Sequence, residues 1–147
     1  MPVNGQEKPP KPIAVTVSIA QHLNFGTFIV TGSGGSVTVN YNGVRSTIND
    51  VYIPSISSSE TPTPALFEVT ALRGTLITIV NGSPVYLSGS NGDSILLTVG
   101  PSSTGTPFVA QGMTTDVFIG GTLTVGSLTA NRPGSYSGTF SVTFVQN

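Results

Sequence analysis

Few residues in this chain have side chains able to do chemistry. His22 is its one histidine and cysteine is absent, which excludes a thiolate nucleophile, a disulfide and a Cys-based metal site. One imidazole without clustered carboxylates cannot build a zinc site, and no Gly-x-Ser-x-Gly elbow accompanies it to form a serine triad. His22 therefore reads as a polar contact near a strand end. The carboxylates Glu7, Asp50, Glu60, Glu68, Asp93 and Asp116 fall singly along the chain. A calcium loop needs several at alternating positions, a spacing that does not occur, and the facing pair of a glycosidase would have to be assembled by folding. Asn91-Gly92-Asp93 offers one oxygen ligand, but Asn-Gly is first a turn signal. Gly120-Gly121 lacks the strand-to-helix context of a phosphate loop and reads as a bulge or close-packing position. The expected set of catalytic, cofactor-binding and metal-binding residues is empty, and the chain is expected not to be an enzyme.

Charge narrows the partners. Charged residues are 7% of the 147, with a formal net charge of −1, against roughly 25% in an average soluble protein. Five scattered Lys and Arg residues make no footprint for a nucleic acid, whose binding requires several phosphates to be neutralised. The longest apolar runs fall well short of the ~20 residues of a membrane-spanning helix. A surface of Ser, Thr, Asn and Gly with little charge repulsion favours association.

The elements that position these residues read as strands. Ile13-Ala14-Val15-Thr16-Val17-Ser18-Ile19 alternates β-branched apolar residues with small or polar ones, a period of two. Further strands are expected over 23–30, 36–41, 45–53, 66–71, 76–80, 85–88, 95–99, 117–125 and 138–145, each bounded by turn residues, and no helix longer than two turns. Many short strands with frequent turn signals predict a sandwich or barrel. Alternation puts Val37, Val39 and Tyr41 on one inward face, then Leu123 and Val125, then Phe140, Val142 and Phe144. Phe25, Tyr136 and Phe140 are expected in the core. Gly32, Gly34 and Gly35 read as a flexible connection, Asn81-Gly82 and Asn91-Gly92 as hairpin-type turns, and 55–64 and 101–107 as mobile loops. Residues 1–12, with four prolines, read as an extended tail, and 13–147 as a single β-sandwich domain. Val3-Asn4-Gly5 either fits the small-residue pattern of a signal-peptidase cut, with Gln6 as mature start, or is an ordinary polar N-terminus.

Leu23-Asn24-Phe25-Gly26, Gly35-Ser36-Val37-Thr38-Val39, Gly43-Val44-Arg45-Ser46 and Ala65-Leu66-Phe67-Glu68-Val69 stand in an order that resembles an uncharacterised family of bacterial secreted domains. Ile119-Gly120-Gly121-Thr122-Leu123-Thr124-Val125 and the run Gly134 to Val142 resemble its two C-terminal signatures. That family is similar to spore coat protein U domains and, more distantly, to chaperone–usher pilus subunits. The resemblance implies an immunoglobulin-like antiparallel β-sandwich with an exchangeable edge strand, export to the periplasm, cell surface or medium, and no known enzyme activity. In the pilus relatives a groove left by a missing strand is filled by a neighbouring subunit's N-terminal extension, a form of β-augmentation. The implied partners are further copies in a homo-oligomer or fibre, with a periplasmic chaperone and an usher. Those pilus subunits carry a disulfide that this chain lacks.

The expected role is a structural subunit of a pilus-like or coat-like assembly. The alternative is a monomeric binding module acting through the loops 55–64 and 101–115. The candidate association strands are Ile13, Val15, Val17 and Ile19 at one end and Phe140, Val142 and Phe144 at the other. The first run is either a swapped strand or the protein's own first strand.

Overall fold

A computed structural model of the chain describes residues 15–54 and 61–147. Among them every regular element is a strand: β1 (Thr16–Gln21), β2 (Ile29–Val39), β3 (Arg45–Tyr52), β4 (Ala65–Thr70), β5 (Leu76–Asn81), β6 (Val85–Gly89), β7 (Ser94–Ser102), β8 (Phe108–Val109), β9 (Thr114–Val125), β10 (Tyr136–Ser137) and β11 (Val142–Gln146). The tail 1–12, including the proposed signal remnant to residue 5, lies outside the described residues, as do Ile13 and residues 55–60 of the first loop.

The strands form an antiparallel β-sandwich, as expected. The larger sheet runs β1-β4-β9-β7-β6-β10, with β2 also paired to β9 and β3 to β2. The long strand β9 organises it: Thr114–Ile119 pairs with β4, Gly121–Val125 pairs with β2, and β7 lies on the opposite edge. The smaller sheet has the order β11-β5-β8.

Alternation explains the core. Val117, Ile119, Leu123 and Val125 of β9, Val37 and Val39 of β2, and Phe67 and Val69 of β4 are all buried. One cluster, with Phe67, Val69, Ile77, Ile79, Phe108, Val117 and Ile119, lies between the two sheets. The second, with Phe25, Val37, Val39, Leu87, Ile95, Leu97, Leu123 and Val125, lies beyond the smaller sheet. Gly120 shows how tightly β9 is packed: a Cβ there would stand 2.0 Å from the Val39 carbonyl oxygen. Close approach of backbone, and not phosphate binding, is what this glycine serves.

Several expected boundaries move. Tyr41, expected inward, is 40% exposed, because β2 ends at Val39 and the chain turns there, with the Gly43 N–H donating to the Asn40 carbonyl at 2.9 Å. Gly32, Gly34 and Gly35 are no connection but lie inside β2, at a register shift between Val30 and Gly35. There the Ser33 N–H donates to Asp50 Oδ2 at 2.9 Å. Asn81-Gly82 is not a hairpin turn, since β5 and β6 belong to different sheets, and the Gly82 N–H donates instead to the Ser141 carbonyl. Asn91-Gly92 does join a hairpin, β6–β7. Of the loop 101–107, residues 101 and 102 continue β7, and the Ser103 N–H bonds the Phe118 carbonyl at 2.8 Å.

Two expected strands shrink, and this matters most. Residues 23–28 are not a strand. Asn24 bridges Thr63, its side chain accepts from the Gly26 N–H at 2.8 Å, and Gly26 takes a φ of 70°. Such a φ breaks the extended run at little cost only for glycine. At the other end the C-terminal strand begins at Val142, not at Gly138.

Candidate functional site

Among the described residues folding pairs a few titratable side chains but gathers no cluster: Asp93 meets Arg132, and Glu68 of β4 stands directly opposite Asp116 of β9. Among the described residues no group of three or more His, Asp or Glu side chains lies within reach of one metal ion. His22 is exposed, and its carbonyl accepts from Thr63 Oγ1 at 2.9 Å. Asp50 serves the β2 irregularity, and Glu68 faces Ser18 at 3.4 Å. Asp93 does not point into a calcium loop. Its oxygens accept from Arg132 Nε at 3.0 Å, Arg132 Nη2 at 2.9 Å and the Arg132 N–H at 2.9 Å. The hydrogen bonds from this guanidinium hold the Asp93 carboxyl below the usual carboxylate range.

The association strands present a more unusual geometry. β1 pairs with β4, placing Val17 opposite Val69 and Ile19 opposite Phe67. Partners in register share a face, so Val17 and Ile19 point the same way as the buried Val69 and Phe67. Yet Val17 is 41% and Ile19 60% exposed. Val15, by contrast, is half-buried against the first core cluster.

The reason lies in the smaller sheet. β11 is one of its edges, and Phe144 of β11 packs on Phe67 of β4 with ring centroids 5.5 Å apart at 58°. β11 therefore lies above β4. Among the described residues β1, one strand further out, has no strand above it. Phe140, Val142 and Phe144 are half-buried and pack on the core from this same edge.

A cleft begins where this strip ends, at Gln21 and Phe140; neither Val17 nor Ile19 lines it. Beyond β11 a space of about 1090 Å³ opens between residues 21–30 and 128–140, over a floor of Leu87, Ile95, Leu97, Leu123 and Val125. The floor residues are buried because Leu23, Phe25, Phe28, Tyr136 and Phe140 lean over them from the two walls. Phe25 is thus in the core as expected, while Tyr136 and Phe140 are half-buried wall residues.

Each wall contains a stretch outside any ladder, between the paired Asn24 and Ile29 on one side and after the paired Ser137 on the other. Among the described residues, no backbone–backbone hydrogen bond involves Phe25–Phe28 or Gly138–Phe140. The first wall is held by a side chain instead: Arg45 Nη1 donates to the carbonyls of Phe25 at 2.7 Å and Thr27 at 3.1 Å. The second is held at its far end by a polar knot. Asn91 Nδ2 donates to the carbonyls of Arg132 (2.7 Å) and Pro133 (3.0 Å), and the Tyr136 hydroxyl donates to the Arg132 carbonyl at 2.7 Å. Buried Asn131 adds bonds to the Gly126 N–H and, at 2.6 Å, to the Ser94 carbonyl. Extended segments with unpaired amides and carbonyls are pairing templates.

Sequence reasoning named β1 and the end of the chain but missed the cleft. The signal was present in Asn24 and Gly26, and in Asn131-Arg132-Pro133-Gly134, whose turn residues interrupt the alternation on both walls. The chain belongs to the family described as Domain of unknown function (DUF4402), which it matches over residues 15–145. No curated protein and no solved structure matches it.

Proposed function

We propose that this domain is a structural subunit of a pilus-like or coat-like exported assembly, and that it associates by accepting an extended strand along β11 and the cleft. The reading rests on one observation: the inward face of β1, Val17 and Ile19, is exposed where a fourth strand of the smaller sheet would cover it. Among the described residues β11 has one unpaired edge for ladder hydrogen bonds, and the cleft, entered at Gln21 and Phe140, adds an apolar floor. An incoming strand gains main-chain bonds along the edge and seats alternate apolar side chains in the gap. The run Ile13-x-Val15-x-Val17-x-Ile19 of another copy has the required alternation. A head-to-tail contact of this kind, repeated from copy to copy, produces open chains of subunits.

The test is a synthetic peptide of residues 13–19 added to the purified protein. A ligand of the native state stabilises it by about 2.7 kcal/mol at a hundredfold excess over Kd. The unfolding midpoint is expected to rise with peptide concentration, and a peptide of the same composition with its alternation scrambled is expected to have no effect. Equal effects from both peptides, or none from either, reject strand acceptance.

A further inference from the structure

The cleft differs in kind from the strip beside β11. Its floor is built by three adjacent strands, β9, β7 and β6, which at about 4.8 Å between neighbours make it about 10 Å across. Four aromatic side chains stand around the floor, Phe25 and Phe28 on one wall, Tyr136 and Phe140 on the other. Among the described residues the stretches 25–28 and 138–140 lie outside any ladder. An occupant therefore meets ring faces and single amides here, where along β11 it meets the regular edge that a β-strand needs. A polyproline II segment needs no such edge. It carries no internal hydrogen bonds, and its prolyl rings dock on aromatic-lined grooves.

The chain carries a segment of this kind. Pro9-Pro10-Lys11-Pro12 immediately precedes the alternating run Ile13 to Ile19. With three residues per turn Pro9 and Pro12 fall on one face, and at 3.1 Å per residue the four residues extend about 12 Å, close to the width of the floor.

Strand direction connects the two. β11 starts beside Phe140, which lines the cleft, and ends beside the β4–β5 connection, where the Asn147 N–H donates to the Leu76 carbonyl at 2.9 Å. A strand accepted along β11 and running the opposite way would bring Ala20, Gln21 and His22 to the cleft, residues with little to offer an apolar floor. Running parallel to β11, it brings Pro12 and then Pro9 there.

We propose that residues 9–12 of a second copy occupy the cleft while its residues 13–19 lie along β11, parallel to it. The inference rests on the strand-acceptance reading and adds a direction and a second contact to it. The proline run is not the subunit's own. β1 holds Thr16 at its far end, opposite Thr70, and Gln21 at the cleft, five residue steps or about 17 Å apart. Pro12 lies four residues before Thr16 and reaches back at most about 14 Å. The run of one copy thus cannot lie in its own cleft as a whole.

The test sets two synthetic peptides, residues 13–19 and residues 7–19, against the full chain carrying Leu128→Trp. The native chain contains no tryptophan, and Leu128 lines the cleft at 45% exposure, so the variant has a single fluorophore beside the proposed proline site. Peptide 7–19 is expected to bind about tenfold more tightly than 13–19, the gain from burying about two prolyl ring methylenes. It alone shifts the tryptophan emission. Pro9→Ser and Pro12→Ser together in the longer peptide return it to the affinity of the shorter one. Equal affinities of 7–19 and 13–19, the same emission with both, or a serine-substituted peptide that keeps the tighter binding overturns the proline site while 13–19 still binds along β11. Binding of neither peptide removes both readings.

Discussion

Replacing Ile19 with Asp separates folding from association, because the side chain is 60% exposed although it faces the core side of β1. Full burial of an aliphatic side chain contributes about 1.5–3 kcal/mol, so the covered part of Ile19 accounts for about 0.6–1.2 kcal/mol of stability. Its neighbour across the ladder, Phe67, is 7% exposed, and truncation to Ala there costs about 3–5 kcal/mol. An incoming strand that covers Ile19 completely would gain the remaining ~0.9–1.8 kcal/mol from this side chain. Loss of that contact weakens strand binding roughly 5–20-fold, and an aspartate facing an apolar strand weakens it further. Urea denaturation gives the first number, and titration with the 13–19 peptide gives the second. Ile19→Asp is expected to stay folded with stability reduced by about 1 kcal/mol and to bind the peptide at least about tenfold more weakly. A stability loss as large as that of Phe67→Ala would mean that the face of β1 is already covered within the free subunit. Unchanged peptide affinity would mean that the strand does not bind there.

Three further outcomes follow from the walls and the central strand. Arg45→Ala removes two charge-assisted hydrogen bonds that hold Phe25 and Thr27, with an expected loss of about 2–3 kcal/mol by urea denaturation. A loss below about 0.5 kcal/mol would show that this wall stands without the guanidinium. Gly120→Val drives a side chain into the Val39 carbonyl and is expected to cost about 3 kcal/mol or more, or to yield no folded protein; native-like thermal unfolding would contradict the packing described. Asp93, whose pKa is lowered by Arg132, contributes stability that is present above the unfolded-state value near 3.9 and is lost as pH falls through the lower folded value. Acid titration followed by tyrosine near-ultraviolet circular dichroism is therefore expected to show loosening around Tyr136 only below about pH 4. Asp93→Asn should remove that step, and an identical acid profile in the variant would refute the assignment.

The absence of Cys, the single His and the scattered carboxylates set the limits on chemistry before any folding, because no arrangement can supply side-chain types that the chain does not contain. Alternation set the strand class and most inward faces. Val37, Val39, Leu123 and Val125 point inward because a strand with a period of two must bury one face and expose the other. The same rule overextended two strands. Over 23–30 and 138–145 the apolar alternation persists, but Gly26 turns out of the extended region and, among the described residues, the stretches 25–28 and 138–140 find no ladder partner. Side-chain alternation is a local property of a sequence, whereas the pairing of a backbone amide depends on what lies across from it. For the same reason Ile13 to Ile19 could be read as a strand but not as an uncovered one. The exposure of Val17 and Ile19 exists because β11 ends the smaller sheet one strand short of β1, a mismatch between two sheets that only their packing against each other decides.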